Sequence, residues 1–181
     1  MNRQETPLVL TYMHKHMPHF TATTDEDGSD LRAELVDPAR TIAFMLAGNA
    51  YVTFQSRRTG TRFTYRVQQA EPRAGAGVWD KPPHFVSVLV GPDNDRSYSY
   101  LGTIFDRKMY SHGRKSRIET DAPSAVAFAW VWRYLSGGNA HPKLAVYHEG
   151  RCGRCGRRLT TPESIETGLG PVCAAKNGGG R

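Results

Sequence analysis

The sequence predicts an α+β fold: an antiparallel sheet packed by two helices, followed by a small C-terminal zinc-knuckle module. Three observations carry that expectation. Two segments repeat their apolar residues at helical spacing, and several others alternate apolar and polar residues as half-buried strands do. All three cysteines fall between residues 152 and 173. The chain of 181 residues has room for one ordinary domain and a small appendage. The expected divisions are a weakly structured segment 1–36, an α+β domain 37–138, a zinc-binding module 139–176 and a disordered tail 177–181.

The N-terminal segment offers one candidate strand, "LVLTYMH", and an acidic, Gly-broken loop, "TTDEDGSD". His14, His16 and His19 lie close together there. Without a neighbouring cysteine or carboxylate they read as a solvated polar stretch rather than a metal site.

"VDPARTIAFMLAGN" is a helix, with Asp37 as cap, Pro38 at its first position and Gly48 as its stop. Ile42, Met45 and Leu46 share its apolar face. A hairpin follows, "AYVTFQSRRTGTRFTYRVQQ". Phe63, Tyr65 and Val67 fall on one face, where Val52 and Phe54 can pair with them. Arg62, Thr64, Arg66 and Gln68 face the other way, and Arg57, Arg58 and Gly60 lie at the turn. "AEPRAGAGVWDKPP" reads as a loop. "HFVSVLV" and "YSYLGTIF" read as two strands across a turn, with Tyr98 and Tyr100 in step. "DRKMYSHGRKSRI" is a basic loop or short strand. The strongest helix is "TDAPSAVAFAWVWRYLSGG", with Asp121 as cap and Gly137 as stop. Ala125, Phe128, Ala129, Trp132 and Leu135 form its stripe, widened by Trp130 and Tyr134, so its tryptophans belong to the core. "GGNAHPK" reads as a linker. The sheet is expected to hold four or five strands.

The net charge is +7. Residues 1–40 carry 4 basic and 7 acidic side chains, residues 41–140 carry 13 and 7, and residues 141–181 carry 7 and 3. The basic excess therefore belongs to the middle and the end. Such an excess suits a polyanion, nucleic acid first. No apolar run of membrane-spanning or signal-peptide length is present, and the confined cysteines suit a reducing compartment. A cytoplasmic location is expected.

Cys152 and Cys155 are spaced C-x2-C, and Gly153 and Gly156 free the turn to aim both sulfurs inward. Cys173 follows after a Gly-rich stretch. A thiolate set at this spacing suits zinc, which takes four N or S ligands. His148 is the expected fourth ligand, with His141 in reserve and Glu149 a poor third. Between the cysteines, Thr161 caps a short helix begun by Pro162 and ended by Gly168. Pro171 starts a second helical turn, whose dipole favours the Cys173 thiolate. A closed site of this kind is structural; a thioredoxin-type redox pair would sit in a βαβ unit, and none is seen.

"CGRCGRRLTTPESIETGLGPVC" resembles a Cys-rich zinc-binding domain of unknown function that recurs in proteins of phages and bacterial mobile elements. Its pattern is C-x2-C-G-[RK]-x-L-T-x-P-x-S-I-x-x-G-x-G-P-x-C, and the likeness extends in outline over residues 38–173. The resemblance implies a bacterial host cytoplasm and no particular activity. Some relatives carry the domain beside helicase or DNA-processing regions, which favours nucleic acid.

The expected function is that of a phage or mobile-element accessory protein, held by structural zinc and binding nucleic acid. The cations expected to bind are Arg57, Arg58, Arg62, Arg66, Arg114, Lys115, Arg151, Arg154, Arg157 and Arg158. The alternative is an inhibitor or adaptor that binds a host protein complex of defence or transcription. An enzyme is less favoured. No phosphate loop or G-x-S-x-G is present, and pairing His112 with Asp106 or His84 with Asp80 is not demanded by any spacing.

Overall fold

The computed structural model describes residues 33–71 and 82–178. The candidate strand "LVLTYMH", the three N-terminal histidines, Asp80, most of the Pro/Gly loop and the last residues of the tail lie outside the described residues.

Alternation along the chain produces seven strands among the described residues. They are β1 (Ala33–Glu34), β2 (Asn49–Ser56), β3 (Arg62–Gln69), β4 (His84–Leu89), β5 (Tyr98–Phe105), β6 (Met109–His112) and β7 (Leu144–His148). They form one sheet in the order β1-β7-β2-β3-β4-β5-β6, each neighbouring pair antiparallel. The helices are α1 (Pro38–Met45), α2 (Pro123–Ser136), α3 (Pro162–Thr167) and α4 (Pro171–Gly178). The fold is α+β.

The hairpin register places Val52 opposite Tyr65 and Phe54 opposite Phe63, which puts the apolar set of both arms on one face. A one-residue slip would turn that whole set to solvent, so burial fixes the register. Gly60, at φ 72°, supplies the left-handed residue of the turn. More strands form than the sequence predicts, chiefly because of β7. Its five residues "LAVYH" fall within the span expected for the C-terminal module, yet they insert between β1 and β2. The expected boundary at 138/139 therefore precedes a strand of the main sheet.

Asp37 caps α1 by accepting from the Arg40 N–H at 2.7 Å. The helix stops earlier than Gly48: Leu46 is its C-cap, and Gly48, at φ 125°, turns the chain into β2. Asp121 does not cap α2. The N-cap is Ala122, without a side-chain bond, and Pro123 needs no donor partner at the helix start.

Phe128 of α2 is fully buried, its ring 5.8 Å from Phe54, 5.0 Å from Tyr65 and 4.8 Å from Tyr110. Two polar tips in this region are satisfied. Tyr65 Oη donates to Ser124 O at 2.7 Å, and Trp132 Nε1 donates to Lys108 O at 2.9 Å. Phe44, Met45 and Leu46, at the end of α1, belong to the same apolar cluster as Phe128 and the inward residues of the sheet. Burial of such rings is the main favourable term in a core of this kind.

Candidate metal centre and basic surfaces

Local hydrogen bonds build the knuckle. Cys152 N–H donates to Arg157 O at 2.8 Å, Gly156 N–H to Cys152 O at 2.9 Å and Leu159 N–H to Gly150 O at 2.8 Å. Arg151 and Arg158 face each other in an isolated antiparallel bridge. Gly156 has φ 73°, the left-handed conformation that closes this turn. Gly153 serves differently from the expectation: a Cβ there would lie 2.7 Å from a ring carbon of Phe44. Its missing side chain is a matter of close packing.

The turn brings Cys152 and Cys155 together, and α3 and α4 bring Cys173 to them. Thr161 caps α3, Gly168 ends it at φ 70°, and Cys173 lies in the first turn of α4. The three sulfurs lie within 4.8 Å of one another. Sulfurs about 2.3 Å from a tetrahedral zinc stand about 3.8 Å apart, so a small contraction closes the set on an ion. Three convergent thiolates are soft donors that suit zinc and other thiophilic metals, and they offer nothing to magnesium or calcium.

The electrostatics of the three thiols are uneven. Burial acts to raise the Cys152 thiol, but backbone N–H groups of Cys155, Gly170 and Arg154 outweigh it and bring it down to about 7. Gly170 N stands 3.5 Å from its sulfur. Burial, followed by hydrogen bonding and charge from the other two cysteines, pushes Cys173 up to about 11. Neighbouring thiolates repel, so the full set of charges needs a cation.

His148 does not join this group. Its ring is wholly buried, and both nitrogens are used by the backbone. Nδ1 accepts from the Gly150 N–H at 2.9 Å, and Nε2 donates to Ile165 O at 2.5 Å. A ligand nitrogen needs its lone pair, so His148 as placed is a strut between β7, the knuckle and α3. His141 is also elsewhere. Its ring stands edge-on to Trp130 and Tyr134, at 5.1 and 5.4 Å. Glu149 lies near Tyr98 and outside the cysteine group.

No sequence motif marks Phe44, though it organises the junction. Its ring lies 5.6 Å from that of His148 and against the Cα atoms of Gly153 and Gly168. Asn49 N–H donates to Gly153 O at 2.6 Å, and Gly153 N–H to Gly168 O at 3.0 Å. The signal in the sequence is the pair of glycines, which imply a bulky partner pressed against the backbone.

The predicted cations do not form one patch. Arg151, Arg154, Arg157 and Arg158 are exposed around the knuckle. Arg57 and Arg58 lie at the far end of β2, about 25 Å away for a strand of its length. Arg57 is ion-paired with Glu34 and also reaches Leu144 O, so it ties the turn to β1 and β7. Arg62 and Arg66 are half-buried on the outward face of β3, with the Arg66 guanidinium 5.0 Å over the Tyr98 ring. Arg114 and Lys115 are exposed in the turn after β6. Of the histidines in the two candidate dyads, His112 Nε2 bonds Ile118 O at 2.9 Å and His84 Nε2 bonds Leu46 O at 3.2 Å.

A family of unknown function, DUF6011, matches residues 142–178. That span runs from just before β7 through α4 and holds all three cysteines. No curated protein and no solved structure matches this chain.

Proposed function

We propose that this chain is a zinc-stabilised nucleic-acid-binding protein. The carrying observation is the convergence of three thiol ligands inside a loop whose rim exposes four arginines. Zinc would act structurally, holding the knuckle rigid so that the loop carrying the guanidiniums need not be ordered on binding. Arginine suits phosphate because its planar fork can pair two oxygens at once. Cys152, Cys155 and Cys173 hold the ion in this reading. His148 supports it from behind, by fixing the chain on either side of the knuckle.

A phage or mobile-element setting and a location in the bacterial cytoplasm belong to the same reading. They rest on the resemblance of the cysteine segment and on thiols kept reduced. Among the described residues no helix is long and apolar enough to cross a membrane.

The test combines metal content and binding on one untagged preparation. One zinc per chain is expected, with anisotropy of labelled oligonucleotides falling steeply as salt rises. Replacing Arg154 and Arg157 by Ala should reduce the salt slope by about 1 for each phosphate these side chains neutralise. Binding that is absent from both DNA and RNA, single-stranded and duplex, would overturn the reading. A stoichiometric host protein captured after nuclease treatment would then mark the basic surfaces as protein-facing.

A further inference from the structure

Helices cover only one face of the sheet among the described residues. Phe128, Phe44 and the end of α1 all meet residues such as Phe54, Tyr65 and His148, which share that face. The opposite face carries Tyr51, Arg66, Phe85, Tyr98 and Tyr100, placed there by the register of β2 to β5. A solvent face of an antiparallel sheet is normally polar. Here it holds four aromatic rings around an arginine, and Phe85 is 45% exposed.

The rings are held in place. Tyr51 meets Tyr98 edge-on at 5.8 Å, and Phe85 meets Tyr100 edge-on at 6.3 Å. Tyr100 Oη and Thr103 Oγ1 are hydrogen-bonded at 2.8 Å. The Tyr100 ring also lies against Gly113, where a Cβ would come within 2.3 Å of it. Beneath the rings, Arg66 Nε and Tyr98 Oη are buried and have no hydrogen-bond partner among the described residues. Rigid rings with a cation between them are a prepared surface, so little ordering would accompany binding.

We propose that this face binds single-stranded nucleic acid by stacking unpaired bases on Phe85, Tyr98, Tyr100 and Tyr51. The proposal rests on the nucleic-acid reading above and names its partner class. Tyr98 and Tyr100 are two residues apart on one strand, which separates them by about 7 Å. That is roughly twice the 3.4 Å rise per nucleotide of a stacked strand. Splayed bases can meet such spacing and the stacked bases of a duplex cannot. Arg66 and Arg62 on the same face supply charge of the right sign for the backbone, while Glu149 near Tyr98 opposes it locally. Stacking is tolerant of sequence, because every base has a π-face.

The register also gives a direction. Asn49 adjoins the knuckle, Arg66 lies opposite Tyr51, Arg62 lies opposite Gln55, and the hairpin turn follows. A strand laid along β3 would run from the knuckle arginines toward Arg58.

The test uses the zinc-loaded full chain, oligothymidylate and oligouridylate as single strands, and a duplex of the same length. Phe85→Ala is the first variant, because Phe85 is exposed and its loss should leave the core intact. We expect single strands to bind more tightly than duplex, and Phe85→Ala to weaken them about tenfold. The salt slope should stay unchanged, since no charge is lost. Phe85→Trp should restore binding. Tyr98→Leu, checked for folding by circular dichroism, should lower affinity as Phe85→Ala does. Equal affinity for duplex and single strand, or unaltered affinity in both variants, overturns the base-stacking face while the arginine reading stands. No binding by the wild type overturns both. Loss of self-association in Phe85→Ala, with nucleotide affinity unchanged, would assign the face to a second copy of this chain and also overturn the proposal.

Discussion

The sheet core and the cysteine module meet at Phe44, yet their apolar clusters differ greatly in size. The core is a continuous apolar cluster in which Phe54, Tyr65, Tyr110 and Phe128 touch ring to ring. The module's own cluster is Ala47, Cys152, Leu159 and Leu169, joined at the edge by Ile165 and Cys173. Two of those six side chains are metal ligands in the proposed function, and Ala47 belongs to the main domain. Such a cluster is too small to offset the entropy of ordering its own loop and two short helices. On the proposed function, each region has its own weak point: the sheet is vulnerable to cavities and the module to loss of its ion.

Removing the ion should give the largest effect. Structural zinc contributes on the order of 10 kcal/mol to modules of this size. A strong chelator, or Cys155→Ser, should abolish amide protection across 150–178 while β2 to β5 keep theirs. Hydrogen exchange read by mass spectrometry checks this region by region. If the module stays protected without metal, the contrast between the two regions is broken.

Phe128→Ala reverses the pattern. A large buried aromatic removed from a core costs about 3–5 kcal/mol, a large share of a domain's roughly 5–15 kcal/mol. Denaturant unfolding should show a lower midpoint for the sheet, with zinc still bound up to that transition. A variant that instead loses zinc before the sheet unfolds would show that the core, and not the ion, orders the module.

Gly168→Ala probes the junction itself. Its φ of 70° would strain any other residue by about 1–2 kcal/mol, and an added Cβ would stand 2.4 Å from Phe44 Cδ2. Gly156→Ala is the control within the same module: φ is 73° there too, but an added Cβ would make only an ordinary contact, 3.6 Å from Asn49 Nδ2. The excess loss at 168 over 156, measured by zinc retention under a competing chelator, reports the close approach to Phe44. Equal effects would mean that Phe44 moves aside freely.

Much of this contrast is legible in the sequence. Period-two alternation places β2 to β5, and the Asp37 and Thr161 caps place the starts of α1 and α3, because those signals are local. The C-x2-C spacing locates the thiols for the same reason. What is not legible depends on tertiary neighbours. "LAVYH" is too short to declare its partners, so β7 reads as part of the appendage rather than a strand inside the sheet. His148 has ligand chemistry at a ligand-like distance along the chain. Only the folded backbone shows that Gly150 and Ile165 occupy its nitrogens. The aromatic face is hidden because Tyr51, Phe85 and Tyr98 come from three strands, and no single window contains them.

Acid should separate the two regions more weakly, through their buried histidines. Burial lowers the pKa of His148, against the rise contributed by its bond to Ile165 O. Burial likewise lowers that of His84, in the sheet region, against its bond to Leu46 O. In the unfolded chain both titrate near 6.5, about the ordinary value for histidine. Below that pH the unfolded state binds more protons than the folded one, so stability falls as pH falls. For His148 the physical cause is visible: protonating Nδ1 replaces the acceptor of the Gly150 N–H with a second donor. His148→Gln should therefore flatten the loss of protection in the knuckle between pH 7.5 and about 5.5, without altering the response of β4. Acid also strips metal from thiolates, so the comparison is between wild type and variant at matched zinc. An identical acid response in both would assign the loss to the thiols and leave His148 as a strut without a titration of its own.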